Sequence, residues 1–495
     1  MCARYHFIVL VEVFLRHETY PCHLPTMLNL ILYKAADPNL VVRKSAVQLL
    51  QLIEERFTLA SMVADYRISL TSSLPTTYKQ SQTILSAQLA MEHAGFTYDL
   101  LAEVSRRLDS VPRERRRDML NLIHPWLAHV HLSIESGEHP NEDHLSLPSA
   151  MVLNNLFVLT IKCGDEYNSV VETLWMQLCG DREANVPVIV SYLLSVGLHH
   201  KNPDFVAHAK KIIVYMGRSK GCGPAVVMEL VSEILPATVP TTALLQLSSK
   251  QAAEGNPGAF FADLDDVLPQ VEADFIERHE LALVLLVDLA LEVSEELRPH
   301  LPDLLHAIVM QLDAPSDVIF EQSRLLFINI IHSLVARHTG GESSRATTLI
   351  LLASSKEGSR WWARERRASS EAVLASEGQL AALVANTVDV FSEDAGFPDL
   401  SEKWLAVALR WIGACDVAAS CRSAQVDRAL KVPLSQQLLG GLLDRLSEVV
   451  SSPDEKRTHY LFIFLCLLRV SNWVTDQCKP CRMNCSFRST STRRR

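Results

Sequence analysis

Three groupings of residues in this chain have the types and spacing that chemistry would need. Residues 217–221 read Gly-Arg-Ser-Lys-Gly, the Gly-x-Ser-x-Gly of a nucleophile elbow. An elbow works only where a strand enters a strained turn before a helix, lifting the serine hydroxyl above an α/β sheet. Here the preceding IIVYM continues a helical phrase that starts at Asn202, so Gly217 and Gly221 read as a helix stop. His124, His129, His131, His139 and His144, with Glu138, Glu142 and Asp143, form the densest set of metal-ligand types. Helical zinc ligands pair at i, i+4, and no histidines here have that spacing, so the set reads as a polar loop. Cys478, Cys481 and Cys485 read C-x-x-C-x-x-x-C without a fourth ligand after them. Phosphate-cradling G-x-x-x-x-G-K-S/T and G-x-G-x-x-G patterns do not occur. The expectation is a chain with no catalytic, cofactor-binding or metal-binding residues.

Two basic clusters carry binding chemistry instead. Arg113, Arg115, Arg116 and Arg117 sit near a helix start, where the macrodipole disfavours positive charge. They read either as a solvated face or as a dock for an acidic partner segment. Arg360, Arg364, Arg366 and Arg367, with Trp361 and Trp362, lie in a Gly- and Ser-rich break over residues 339–370. Arginine and tryptophan dominate interface hot spots, so this break is a second candidate partner site or a packed helix edge. Within it, Arg366 and Arg367 stand three and two residues before Ser369. That pattern resembles a basophilic kinase site. Phosphate on Ser369 or Ser370 would add about −1.5 to −2 charge beside the arginines.

The elements that must position these groups are helices. Hydrophobic residues make up 48% of the 495 and aromatics only 7%, a balance that suits helix-on-helix packing. In DPNLVVRKSAVQLLQLIEERF, from Asp37, an Asp cap and Pro38 precede Val42, Ala46, Leu49, Leu50, Ile53 and Phe57 at helical steps. Arg43 follows Asp37 by six residues, which resembles the inner helix of a HEAT repeat. In that family the Asp and Arg form a ladder between successive repeats. The phrase returns in weaker form at Asn202 and Asp313, with His208 and Ile319 in place of the arginine. Pro38, Pro203 and Pro315 lie 165 and 112 residues apart, close to four and three repeats of roughly 40 residues. The fold class is therefore all-α, a HEAT/armadillo-like α-solenoid of degenerate repeats. Its expected parts are helical repeats over 1–235, a loop-rich connector over 236–265, and repeats over 266–338. A basic, tryptophan-bearing linker over 339–370, repeats over 371–470 and a tail over 471–495 complete them. That tail reads as disordered, of the kind that read-through past an exon boundary would add.

The formal net charge is −10, and residues 471–495 carry +5 of their own, which leaves −15 on the rest. An acidic body argues against a nucleic-acid groove, because phosphate binding relies on Lys and Arg releasing counterions. It favours protein partners. The eleven cysteines follow no framework spacing and read as free thiols of a cytoplasmic protein without a secretory signal. The apolar runs over 281–293 and 460–468 are interrupted or short against the roughly 20 residues of a span. Both read as buried helices, with no transmembrane segment expected.

Residues 403–450 carry a family resemblance. Trp404, Ala408, Leu409, Trp411 and Cys415, then Arg422, Ser423, Gln425, Arg428 and Leu430, are similar to a segment of the Furry family of cell morphogenesis proteins. Residues 300–334 resemble the same family's Leu-Pro…His…Leu-Asp phrase, and 78–108 and the Trp126 helix are also similar. Such proteins are long non-catalytic α-solenoids. The resemblance implies a scaffold for NDR-type kinases with Mob co-activators and cytoskeletal components, in polarised growth and at the cell cortex. A HEAT-type transport or trafficking adaptor, karyopherin- or coatomer-like, is the other class the architecture allows.

Overall fold

The computed structural model describes residues 2–17, 23–57, 63–135, 144–180, 183–235, 262–268, 276–312, 314, 316–339, 343–354, 370–414, 417–432 and 440. Its first helices are α1 (Cys2–Arg16), α2 (Leu24–Lys34), α3 (Leu40–Phe57), α4 (Val63–Leu70), α5 (Pro75–Glu92) and α6 (Thr97–Arg107). They continue as α7 (Arg113–Leu127), α8 (Leu147–Cys163), α9 (Asn168–Gly180), α10 (Asn185–His200), α11 (Pro203–Arg218), α12 (Gly223–Ile234) and α13 (Arg278–Leu289). Helices two apart in sequence lie side by side: α5 on α7, α7 on α9, α9 on α11, and α11 on α13. A second row runs through α6 and α8 and through α10 and α12. Two layers of stacked helices are the arrangement of an α-solenoid, and the all-α class is borne out. The one sheet among the described residues is a two-residue pairing of β1 (Ile134–Glu135) with β2 (His144–Leu145).

The chain divides into two units. One comprises residues 1–301 with 315–334, the other 302–314 with 335–495. In the second, helices Leu301–Gln311, Ser344–Ser354, Ser370–Asp389, Leu400–Ala414 and Val417–Leu430 are described. Helix Asp317–Thr339 contains a stretch, Asp317–Val335, that is long and apolar enough to cross a membrane, yet 56% of it is buried against protein. Residues 433–439 and 441–495 lie outside the described residues, and with them the run at 460–468, the tail and its cysteines.

Local chemistry explains where the elements begin, with some departures from the sequence reading. α3 starts at Leu40, not at Pro38. Asn39 is the residue that caps it, its side-chain oxygen accepting the Val41 N–H at 2.9 Å, while Asp37 accepts the Asn39 N–H at 3.0 Å. α11 follows expectation, with Asn202 accepting from Asp204 and Phe205 ahead of Pro203. α7 ends at Leu127 rather than running to residue 135. Beyond it Asn185, at the start of α10, accepts the Leu132 N–H at 3.0 Å and donates to the carbonyls of Val130 and Leu178. A buried side chain satisfying three backbone groups holds this stretch out of helix.

Gly217 is likewise not a helix stop. It lies inside α11, where a Cβ would come within 2.3 Å of the Leu289 side chain, so its bareness lets α13 approach. Gly221, at φ +87°, is the residue that turns the chain. Ser219, 4% exposed, follows a helix rather than a strand, so no nucleophile elbow exists here.

Candidate functional site

The arginines of α7 separate into two pairs. Arg115 approaches Asp118 at 3.9 Å, and Asp118 also receives Lys79 of α5 at 2.8 Å. Arg116 donates to the Val111 carbonyl and lies 3.9 Å from Asp109, which pairs with Lys162 of α8 at 2.6 Å. Two carboxylates thus each hold two cations and join three helices. Arg113 and Arg117 are exposed, and among the described residues neither side chain has an ion-pair partner. Only the Arg113 backbone carbonyl is engaged, by the Tyr167 hydroxyl at 2.6 Å. The N-terminus of α7 therefore presents two free guanidiniums above a bridged base.

Bridging continues at the helices that follow in the same row. Lys211 of α11 meets Asp165 at 3.1 Å and holds its carboxyl below the usual range. Arg218 joins Glu172 of α9 at 3.1 Å to Glu292, beyond α13, at 2.7 Å. These long-range pairs do between helices what the expected Asp–Arg ladder would have done.

Arg43 itself is 2% exposed, and it meets Asp37 through the backbone carbonyl rather than the carboxylate. Nη1 donates to the carbonyls of Asp37 and Pro38 at 2.8 and 3.0 Å, and Nε to that of Leu70 at 3.0 Å. Nη2 reaches the Ser72 carbonyl, and the guanidinium lies 4.0 Å from the centre of the Tyr78 ring. The Asp37 carboxylate turns instead to Lys34, at 3.6 Å. Arg43 still links successive helices, α3 to the end of α4 and the start of α5, but by capping carbonyls. In the second phrase His208 holds the equivalent place, and among the described residues its Nδ1 has no hydrogen-bond partner.

Sequence reasoning did not anticipate the polar centre of the second unit. His306 is fully buried. Its Nδ1 accepts from Trp404 Nε1 at 3.3 Å, and its Nε2 lies 2.9 Å from Ser423 Oγ. Indole N–H is only a donor, so Nδ1 carries no proton and Nε2 donates to the serine. Ser423 passes its own hydrogen to the Met310 sulfur, while Arg422 donates to the Met310 carbonyl at 3.1 Å. Trp411 covers the imidazole with ring centres 5.0 Å apart. Burial pushes the His306 pKa down to about 3. Burial also lifts the Asp427 carboxyl, one turn beyond Ser423, to about 6. These partners are 98 and 117 residues from His306 in sequence, so no local spacing brings them together.

Among the described residues no cluster of His, Cys, Asp or Glu could hold a metal. His124 is partly buried, which lowers its pKa, and His144 faces Glu135 at 3.4 Å across the β1–β2 pairing. His139, Glu138, Glu142 and Asp143 lie outside the described residues. So do Arg360, Trp361, Trp362, Arg364, Arg366, Arg367 and Ser369, whereas Ser370 opens helix Ser370–Asp389.

Comparison with known proteins agrees with this picture. The family model for the cell morphogenesis central region matches residues 1–216 and 248–456. Cell morphogenesis protein PAG1 of Saccharomyces cerevisiae is 27% identical over 429 residues, covering 86% of this chain and 17% of PAG1. Cell polarity protein mor2 of Schizosaccharomyces pombe is 25% identical over 465 residues, covering 93% of this chain and 20% of mor2. The chain thus spans about a fifth of the length of these relatives. A solved structure from work on the cadherin–β-catenin interaction aligns over 90% of this chain and 96% of its own at 15% identity. Its TM-score is 0.21. The resemblance to Furry-type morphogenesis proteins is borne out, and the residues that carried it include His306, Trp404 and Ser423.

Proposed function

The chain belongs to the cell morphogenesis central region family, and on that premise we propose that it is a non-catalytic scaffold segment acting in cell morphogenesis and polarised growth. The observation that carries this reading is the alignment of a morphogenesis protein and a polarity protein over 86% and 93% of its length. Stacked helices suit the role, because they offer an extended surface on which several partners can dock at once. By family resemblance the partners are an NDR-type kinase with its Mob co-activator and cytoskeletal components, in the cytoplasm and at the cell cortex. Arg113 and Arg117 are the side chains assigned to an acidic partner segment, with Arg115 and Arg116, paired to Asp118 and Asp109, as the further cations of the same site. Trp361, Trp362, Arg364, Arg366 and Arg367 form the second assigned surface, with Ser369 or Ser370 as its phosphorylated position.

Affinity purification of the native protein tests the reading. An NDR-type kinase should be recovered with it, and reversing both free charges (Arg113→Glu with Arg117→Glu) should cut recovery about tenfold, as loss of charge-assisted contacts does. Normal helical content alongside unchanged recovery would remove the α7 site. Absence of any such kinase from the wild-type purification would remove the scaffold assignment itself. Deleting 342–366 and replacing both serines with alanine tests the second surface in the same assay.

A further inference from the structure

The connector between α12 and α13 leaves one short segment packed on the body of the first unit. Residues 262–268 read Ala-Asp-Leu-Asp-Asp-Val-Leu. Leu264 and Leu268, four apart, are each 5% exposed, and Ala262 is 7% exposed. A single helical turn sets that spacing, with the Leu268 N–H donating to the Leu264 carbonyl at 2.9 Å and Asp263 accepting the Asp265 N–H at 3.1 Å. Beneath the segment lie α8 and α10, both buried almost all round. Asn155 of α8, itself 1% exposed, accepts the Ala262 N–H at 3.1 Å. His200, at the end of α10, meets the Asp265 carboxylate at 3.4 Å.

This is how a groove holds a short peptide: apolar side chains at i and i+4, one backbone hydrogen bond and one polar side-chain contact. α10 ends in His199 and His200 and is followed by Lys201, while the segment carries three aspartates and no cation. Its anchors, Ala262, Leu264, Asp265 and Leu268, lie within seven residues of chain. Segments of that kind open locally at far lower cost than the helices beneath them.

We propose that residues 262–268 are a resident strap on a peptide-docking face of α8 and α10, exchangeable for an acidic partner segment bearing leucines at i and i+4. The strap holds the face in competition with the partner, because its tether gives it a high local concentration. Removing its leucines would leave Asn155, His200 and the apolar bed open to the incoming segment. The inference does not depend on the kinase-scaffold reading, and its test reads neither kinase nor morphogenesis.

Two measurements on the full chain decide it. In the wild-type protein, hydrogen exchange at residues 264–268 should run at least about a hundredfold faster than in the buried turns of α8 and α10. Exchange of the strap only together with those helices would make it an integral part of the core and overturn the proposal. In the second measurement, Leu264→Asp with Leu268→Asp releases the strap, and a fluorescein-labelled peptide of residues 260–270 is the probe. The released protein should bind it at least about tenfold more tightly than wild type. Adding Asn155→Ala and His200→Ala should remove that gain, and a scrambled peptide should not bind. No gain on release, or loss of protection throughout α8 and α10 in the released protein, overturns the proposal.

Discussion

Arg43 brings a permanent charge into the helices of the first unit at 2% exposure, while His306, fully buried in the second, brings none. The cation is tolerated because its donors meet carbonyls at the negative end of α4 and in the turns around it, beneath an aromatic face. The imidazole is tolerated because a donor-only indole selects one neutral tautomer, and a serine accepts its remaining proton. Arg43 finds these hydrogen-bond acceptors within 29 residues. His306 draws on residues about a hundred away and so joins stretches that sequence keeps apart. Backbone acceptors near a helix end can neutralise a charge locally, whereas a neutral side-chain network can fasten distant segments without burying charge.

The largest effect should come from breaking the Arg43 side of this contrast. Arg43→Met leaves buried carbonyls without donors and should cost about 3–5 kcal/mol within α2 to α5. Nearest-neighbour coupling should confine the loss to those repeats. Arg43→Lys keeps the charge but offers a compact ammonium in place of a fork, so it should recover less than half of that. Hydrogen exchange over residues 24–92 is the measurement. A Lys variant as protected as wild type would mean that charge alone, not the forked donor set, is what the site requires.

The next effect is a pH dependence of opposite sign at two groups in the second unit. His306 has its folded pKa at about 3, below the ordinary imidazole value of 6.5. As pH falls below 6.5 the unfolded chain takes up a proton that the folded chain refuses, so stability falls, by up to about 1.4 kcal/mol per pH unit. Asp427 works against this. Its carboxyl is raised to about 6 from 3.8, so between those values the folded state holds the extra proton and stability rises as pH falls. Denaturation of the second unit should therefore change little between pH 6 and 5 in the wild type. Asp427→Asn should expose the fall due to His306, and His306→Gln should expose the rise due to Asp427. Parallel pH profiles for the two variants would mean that His306 is not held neutral.

What the sequence disclosed follows the same division. The helical period, the Asn202–Pro203 start and the buried character of 281–289 were legible because each depends on residues within one or two turns of each other. The Asp37–Arg43 spacing pointed to the right side chain but the wrong acceptor. Spacing shows that two groups can meet, not that neighbouring carbonyls will outbid a carboxylate already held by Asn39 and Lys34. Gly217 looked like a stop because the side chain it makes room for, Leu289, is 72 residues away. His306, Asn185 and the strap were not legible at all, since each acts through partners that only the packing of helices brings close. A buried type at an unexpected place, such as a lone histidine in the apolar run of Leu301–Gln311, was the one available signal.

The smallest expected effect lies on the α7 edge, where charges are paired in water rather than in a core. The Asp109 side chain is 66% exposed and bridges Lys162 and Arg116, whereas Asp118, bridging Lys79 and Arg115, is 18% exposed. Exposed ion pairs contribute about 0–1 kcal/mol and are screened by salt. Asp109→Asn should thus lower stability by less than about 1 kcal/mol in dilute buffer and by nothing measurable near 1 M salt. Asp118→Asn should cost somewhat more and depend less on salt, because its bridge is better shielded from water. Function should move the other way. Without Asp109, Arg116 and Lys162 are released beside Arg113 and Arg117, and recovery of an acidic partner should rise rather than fall. Chemical denaturation at two ionic strengths, read beside partner recovery, separates the two roles. An Asp109→Asn chain that is markedly destabilised at high salt would place this bridge with the buried anchors, and one that loses its partner would show that the acid positions the arginines for docking.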